Sequence, residues 1–122
     1  MDFSELLRRR TFAFAKGVVL FCRNLPRDEE GRVFRYQLVK AGTSVGANYR
    51  ASCRGRSDKE KQSKLGVTLE EADECGYWLE LLQAVSVGDP KERAALLEES
   101  REFIRIFAAS LATHKDRQRK KR

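Results

Sequence analysis

Apolar side chains recur every three or four residues along this chain, and the recurrence is broken by three short turn signals. Such spacing lays a stripe along one face of an α-helix, so four stripes between three turns call for an all-α fold. The first stripe is Leu7, Thr11, Phe14, Val18, Phe21 and Leu25. Asp2 stands before it as an N-cap with Glu5 three residues on, the spacing of a reciprocal capping box. Asn24-Leu25-Pro26 stops it, because a residue before proline is pushed out of the α region. The second helix starts between Asp28 and Arg32 and runs to about Arg54, carrying Phe34, Leu38, Ala41, Val45, Asn48 and Ser52. Gly55 suits a left-handed position after its end.

Ser57 and Glu60 form a second capping box and open helix three, over 57 to 86. Leu65, Leu69, Ala72, Gly76 and Leu79 make one line on it, and Trp78, Leu82 and Val85 an adjacent one. Gly88 closes this helix. Asp89, Pro90 and Glu92 then supply an N-cap, a proline at the first helical position and an acid at the third. Helix four carries Leu97, Ile104, Ala108 and Leu111 beside Leu96, Phe103 and Phe107, and is expected to fade after Ala112. Short turns between four helices imply an up-down-up-down antiparallel four-helix bundle over residues 1–113, with 114–122 as a basic, disordered tail.

Composition agrees with one domain. The 122 residues are 41% hydrophobic, enough for one core and not for two, and 2 prolines and 8 glycines leave long helices uninterrupted. The longest apolar run, Gly17 to Cys22, is far short of the roughly 20 residues that span a bilayer. A cytoplasmic location without membrane attachment is expected.

The middle of helix two is unusual. Ala41-Gly42-Thr43-Ser44-Val45-Gly46-Ala47-Asn48 is almost entirely small, although each interior glycine costs about 1 kcal/mol relative to alanine. Close approach of a second helix, with its added dispersion contact, would offset that cost. A phosphate-binding glycine loop is the sharper alternative, but no GxxxxGK[ST] spacing and no preceding strand are present. Ser44, Gly46 and Asn48 are therefore read as helix-packing residues.

Catalytic and metal chemistry find little support. Cys22, Cys53 and Cys75 are widely spaced, which favours reduced structural thiols over a metal site, and the lone His114 lies near a charged end. Glu70, Glu71, Asp73, Glu74 and Glu80 cluster on helix three, and Glu71 and Glu74 are three apart, yet no histidine occupies a core position. No metal, cofactor or small-molecule substrate is expected, and one or two of these acids should face Ser44, Asn48 or Arg50 of helix two. General acid-base work has no candidate, so the chain is read as a non-enzyme.

Charge is concentrated. The net charge is +7, and Lys115, Arg117, Arg119, Lys120, Lys121 and Arg122 against Asp116 supply +5 of it. The tail is open to two readings, a solvated end or an electrostatic arm for nucleic acid. Arg8, Arg9 and Arg10 on helix one and Arg50, Arg54, Arg56 and Lys59 around the second turn fall at the same end of an up-down bundle as this tail. One basic pole is a stronger sign of a polyanionic partner than net charge. Only Tyr36, Tyr49 and Tyr77 combine a ring with a polar tip, and tyrosine at helical spacing is usually edge-of-core. Trp78, Leu81, Leu82, Phe103 and Phe107 compete for burial beyond what a single bundle core needs, and Glu74, Trp78, Phe103 and Phe107 are read as helix-packing or interface residues. They are open to two readings, a subunit interface or a thick intramolecular core.

The segment QLVKAGTSVGANYRASCRGRSDKEKQSKLGVTLEEADECGYWLELL, residues 37–82, closely resembles a bacterial four-helix-bundle family. That family includes the proteins encoded in ribosomal-RNA intervening sequences and the accessory variability proteins of diversity-generating retroelements. The specific part is Ser44-Val45-Gly46-Ala47-Asn48, then Ser57, then Glu70-Glu71 through Trp78-Leu79-Glu80-Leu81-Leu82. Many members carry Asn-Ile-Ala-Glu-Gly where this chain has Asn48-Tyr49-Arg50-Ala51-Ser52. The resemblance implies a homopentamer with a basic surface that, in the retroelement members, binds nucleic acid and a reverse transcriptase. Two functions follow as expectations. One is a non-catalytic accessory protein holding the phosphate backbone of RNA or DNA without sequence readout; the other is a structural or protein-interaction module.

Overall fold

A computed structural model describes residues 1–121. Its four helices are α1 (Phe3–Arg23), α2 (Glu29–Cys53), α3 (Asp58–Ala84) and α4 (Pro90–Lys120), and no strand occurs among the described residues. Each opens on the cap that its sequence provides. Asp2, Asp28, Ser57 and Asp89 accept from the backbone amides of Glu5, Gly31, Glu60 and Glu92 at 2.8, 2.8, 3.1 and 2.9 Å. These bonds satisfy one orphan donor per helix, and each cap is worth about 1 kcal/mol. The Asp2 carboxyl is held below the usual range, first by the Glu5 amide and then by the Ser4 hydroxyl.

Helices adjacent in sequence pack side by side, and α4 closes the ring against α1 more sparsely. This is the expected antiparallel bundle. The core comprises Leu7, Phe14, Val18 and Phe21 of α1, Leu38, Val45 and Tyr49 of α2, Ala72, Leu79 and Leu82 of α3, and Leu97, Phe103 and Phe107 of α4. Aromatic rings tie its centre: Phe14 meets Phe103 edge-on at 5.4 Å, and Phe107 contacts both Phe103 and Tyr49 at 5.6 and 5.4 Å.

Phe103 and Phe107 are wholly buried inside one chain. They form a thick intramolecular core and are not available to a second subunit. Asn48 is half-buried while its neighbour Tyr49 takes the core position, because the stripe drifts around the helix at 3.6 residues per turn.

The small residues of α2 do mediate a close approach, and the helix they admit is α1. A Cβ placed on Gly42 would lie 2.8 and 2.9 Å from the two methyls of Val18, and one on Gly46 would lie 3.3 Å from the Thr11 hydroxyl. Among the described residues no acid of α3 hydrogen-bonds to Ser44, Asn48 or Arg50. Ser44 donates to the Lys40 carbonyl at 2.7 Å and the Asn48 amide donates to the Ser44 carbonyl at 2.9 Å, so both are satisfied within their own helix. Among the described residues, Glu70, Glu71, Asp73 and Glu74 form no ion pair.

Two turns differ from expectation. Gly55 is not in the left-handed region; its space is what matters, since a Cβ would meet Lys61 Cγ at 2.5 Å. At the end of α3 the left-handed cap position is held by Ser86, with φ 58°, and Gly88 follows with φ 90°. The amide of Val87 donates to Leu82 and that of Ser86 to Gln83, at 2.9 and 3.1 Å, which is the paired bonding of a Schellman motif with serine at the glycine position. The fourth helix also runs past Ala112 to Lys120, so residues 114–120 are helical rather than disordered. No glycine or proline interrupts them, Asp116 pairs with Arg119 and Lys120 at 3.1 and 3.4 Å, and cations suit a helix C-terminus.

Glycine substitutions should separate packing from propensity. Gly42→Ala gains helix propensity but overfills the contact with Val18, and should lower stability by about 1 kcal/mol or more. Gly66, also inside a helix, has nothing within 4 Å of an added Cβ, so Gly66→Ala should raise stability by about 0.5–1 kcal/mol. Urea denaturation of the two variants checks the opposite signs.

Thiol chemistry offers a second check. Burial pushes Cys22 up to about 11, and raises Cys75 further with help from Glu71 and Glu74. A thiol reagent at pH 8 should label half-buried Cys53 in the native protein and the other two only after unfolding. Mass spectrometry of the labelled peptides reads the result.

Candidate nucleic-acid interface

The up-down path brings the start of α1, the end of α2, the start of α3 and the end of α4 to one pole. The Lys121 ammonium at 3.3 Å from Asp58 joins the last of these to the α2–α3 turn. Most of the basic residues singled out above meet there. They line two clefts on different sides of the bundle.

The first cleft, about 530 Å³, lies between α1 and α2 and is lined by Glu5, Arg8, Arg9, Phe12, Arg50 and Arg54. Its one carboxylate, Glu5, is paired with Arg9 at 3.2 Å. Arg8 reaches the Ser4 hydroxyl at 3.3 Å, and Arg50 and Arg54 have no side-chain partner among the described residues. Arg50 and Arg54 thus stand without an ion-pair partner among the described residues, and Arg8 meets a counter-charge only indirectly, through Ser4 and the nearby Asp2 carboxylate. Phe12 stands 65% exposed in its wall.

The second, about 860 Å³, is a groove between α3 and α4 lined by Lys59, Gln62, Ser63, Gly66, Val67, Glu70, Leu111, Lys115, Gln118 and Lys121. It exists because α4 remains helical past Ala112. Lys115, Gln118 and Lys121 therefore project from a helix rather than from a frayed arm. Arg56 and Arg117 are exposed at this pole, Arg119 and Lys120 share Asp116, and Arg122 lies outside the described residues.

Helix dipoles explain only part of this charge. Cations beside the C-termini of α2 and α4 are favourable by about 0.3–1 kcal/mol each. Lys59 sits in the first turn of α3, where the dipole disfavours a cation, so stability of the helix gives no reason for it.

Arg10 does not belong to the pole. Its guanidinium forms a two-point pair with Glu99 of α4, at 3.2 and 2.6 Å, and lies 5.4 Å over the Phe103 ring. The Glu99 hydrogen bonds hold its pKa above the ordinary value. It bridges the sparse α1–α4 seam. From sequence, three consecutive arginines look alike; only the 100° step between successive helical residues separates them.

Phe12 is the residue that sequence reasoning passed over. It falls off the stripe of Leu7, Thr11, Phe14 and Val18, and an outward phenylalanine among arginines was the available signal. Of the tyrosines, Tyr49 is buried against Phe107, while Tyr36 and Tyr77 are exposed away from the basic clefts. Trp78 is half-buried, edge-on to Phe34 and Tyr77 at 6.2 and 5.2 Å, and its indole N–H has no protein partner. Exposed Glu74 lies on the same helix, and Glu71 has a pKa raised by burial and by Glu74, with Lys40 opposing. Among the described residues no helix is long and apolar enough to cross a membrane.

The family model described as 23S rRNA-intervening sequence protein matches residues 6–109. Among solved structures, a protein of unknown function from the S23 ribosomal protein family of Bacteroides thetaiotaomicron superposes with a TM-score of 0.81. It is 26% identical, and the match covers 89% of this chain and 97% of the other. The comparison with curated proteins finds no match.

Removing Arg10 and removing Arg54 should have different consequences. Arg10→Ala should lower stability by about 1 kcal/mol, since the pair is only about one-third exposed and also covers a ring. Arg54→Ala should change stability by less than about 0.5 kcal/mol. Thermal melts of both variants, with Glu99→Ala and the Arg10/Glu99 double variant to isolate the coupling, check this.

Proposed function

The chain belongs to the 23S rRNA-intervening sequence protein family, and from that premise we propose that it is a non-catalytic nucleic-acid-binding protein whose basic pole grips the phosphate backbone. The observation that carries this reading is the set Arg8, Arg50 and Arg54, none in a direct ion pair among the described residues, lining one cleft, beside Lys59, Lys115 and Lys121 in the next. Guanidinium groups release counterions from phosphates and bind them bidentately, without regard to base sequence. Contacts of this kind hold the phosphate backbone and carry no sequence information. RNA suits the family description, and DNA would meet the same phosphate chemistry.

A second surface favours the assembly role. Val33, Tyr36 and Tyr77 are exposed around the α2–α3 seam, where Lys40 lies 5.9 Å over the Tyr36 ring and is close enough to Glu71 to favour its ionised form. Self-association through this seam would cover the exposed Tyr36 and Tyr77 rings. In the narrower form of the proposal the protein is a homopentamer that serves a reverse transcriptase, with the pole left free for nucleic acid. If assembly alone were the function, charge reversal at the pole would leave every partner bound.

Fluorescence anisotropy with a labelled duplex, titrated at several salt concentrations, tests the main reading. The logarithm of affinity should fall linearly with the logarithm of salt, and Arg50→Glu with Arg54→Glu should weaken binding at least about tenfold while flattening the slope. Absence of binding at low salt would leave only the assembly role. Light scattering on the same samples should give an oligomer whose mass is unchanged by the two charge reversals.

A further inference from the structure

The cleft between α1 and α2 combines two chemistries that a backbone-only grip does not need together. One is the group of unpaired guanidiniums, Arg8, Arg50 and Arg54. The other is a phenyl ring, Phe12, left 65% exposed between the buried positions Thr11 and Phe14 of the same helix. A solvent-facing phenylalanine contributes nothing to the bundle core, and arginines around it make self-association through the same spot electrostatically unfavourable. Duplex nucleic acid cannot use the ring, because its bases are stacked inside. An unpaired base can, and its own phosphates would lie within reach of the flanking guanidiniums.

We infer that the α1–α2 cleft is a binding site for an unpaired nucleotide within a single strand, with the base stacked on Phe12 and the adjoining phosphates held by Arg8, Arg50 and Arg54. The inference deepens the backbone-binding reading and rests on it. The cleft volume, about 530 Å³, is within the range of small-ligand sites and so is large enough for one nucleotide. Arg50 and Arg54 are one turn apart, about 6 Å along α2, which spreads the charge over more than one phosphate and favours a strand over a free mononucleotide. Glu5 also lines the cleft, and Arg9 at 3.2 Å balances its charge. Stacking is tolerant of base identity, so the site would select for unpaired structure rather than for sequence.

The test compares the full chain with Phe12→Ala and Phe12→Tyr, on a single-stranded RNA oligonucleotide, on the blunt duplex of the same length, and on a nucleoside monophosphate. Phe12→Ala should weaken single-strand binding by about tenfold, leave duplex binding unchanged, and keep the salt slope, because no phosphate contact is lost. Phe12→Tyr should restore the single-strand affinity. Its high exposure predicts an unaltered thermal melt for both variants, which separates loss of the ring from loss of fold. Equal effects on single strand and duplex, or no effect on either while the wild type binds both, would overturn the stacking site and leave the backbone grip standing. Binding of the monophosphate as tight as that of the strand would overturn the assignment to a strand. Failure of the unaltered protein to bind any of the nucleic acids would overturn the backbone grip itself.

Discussion

The contact between Gly42 of α2 and Val18 of α1 sets the geometry on which the rest of the molecule depends. With no side chain at Gly42, and with Gly46 placed one turn later against Thr11, two helix backbones approach more closely than bulky residues would allow. The Val18 methyls fill the space that a Cβ would occupy. Because the glycines lie on the half of α2 that leads to the pole, the same approach fixes how far Arg8 and Phe12 stand from Arg50 and Arg54. A packing device thus determines the width of the cleft. Helix propensity is lost at two positions and recovered as contact along the seam.

The opposite seam is built on a different principle. Helices α1 and α4 meet sparsely, and a charged pair, Arg10 with Glu99, spans them where small residues do not bring backbones together. Phe103 beneath the guanidinium supplies the apolar floor. The three arginines in succession therefore have separate employments, with Arg10 structural, Arg9 locked to Glu5 and Arg8 at the mouth of the cleft. Net charge says nothing of this division. Its effect is that the usable charge at the pole is smaller than the count of basic residues, and more tightly grouped.

The fold was legible in the sequence to a large extent, because the signals that encode it are local. Caps at Asp2, Asp28, Ser57 and Asp89 announce helix starts through bonds that span three residues, and the apolar stripes announce the buried faces. What failed to be legible was pairwise. Small residues at Gly42 and Gly46 declare that some helix comes close, but choosing α1 over α3 requires knowing which apolar faces meet. The acids of α3, which the sequence pattern points toward α2, form no hydrogen bond or ion pair with it among the described residues. Ser86 in the left-handed region and the helical continuation through residues 114–120 are likewise context effects, since one follows from the turn it must close and the other from uninterrupted good helix formers. The candidate site was half legible. Position along the chain gathers the cations at one pole and the stripe already turns Phe12 outward, while the partner that draws Arg10 to Glu99 of α4 emerges only with the packing.

The central claim is that nucleic acid is held at this pole and nowhere else on the molecule. Ultraviolet cross-linking of a single-stranded RNA to the protein, followed by mass spectrometry of the adducted peptides, locates the contact without altering any residue. Adducts within residues 3–12, 50–64 and 111–121 are the result this account requires. Adducts confined to the exposed aromatic face around Tyr36 and Tyr77, or to the far pole around the α1–α2 and α3–α4 turns, would contradict it.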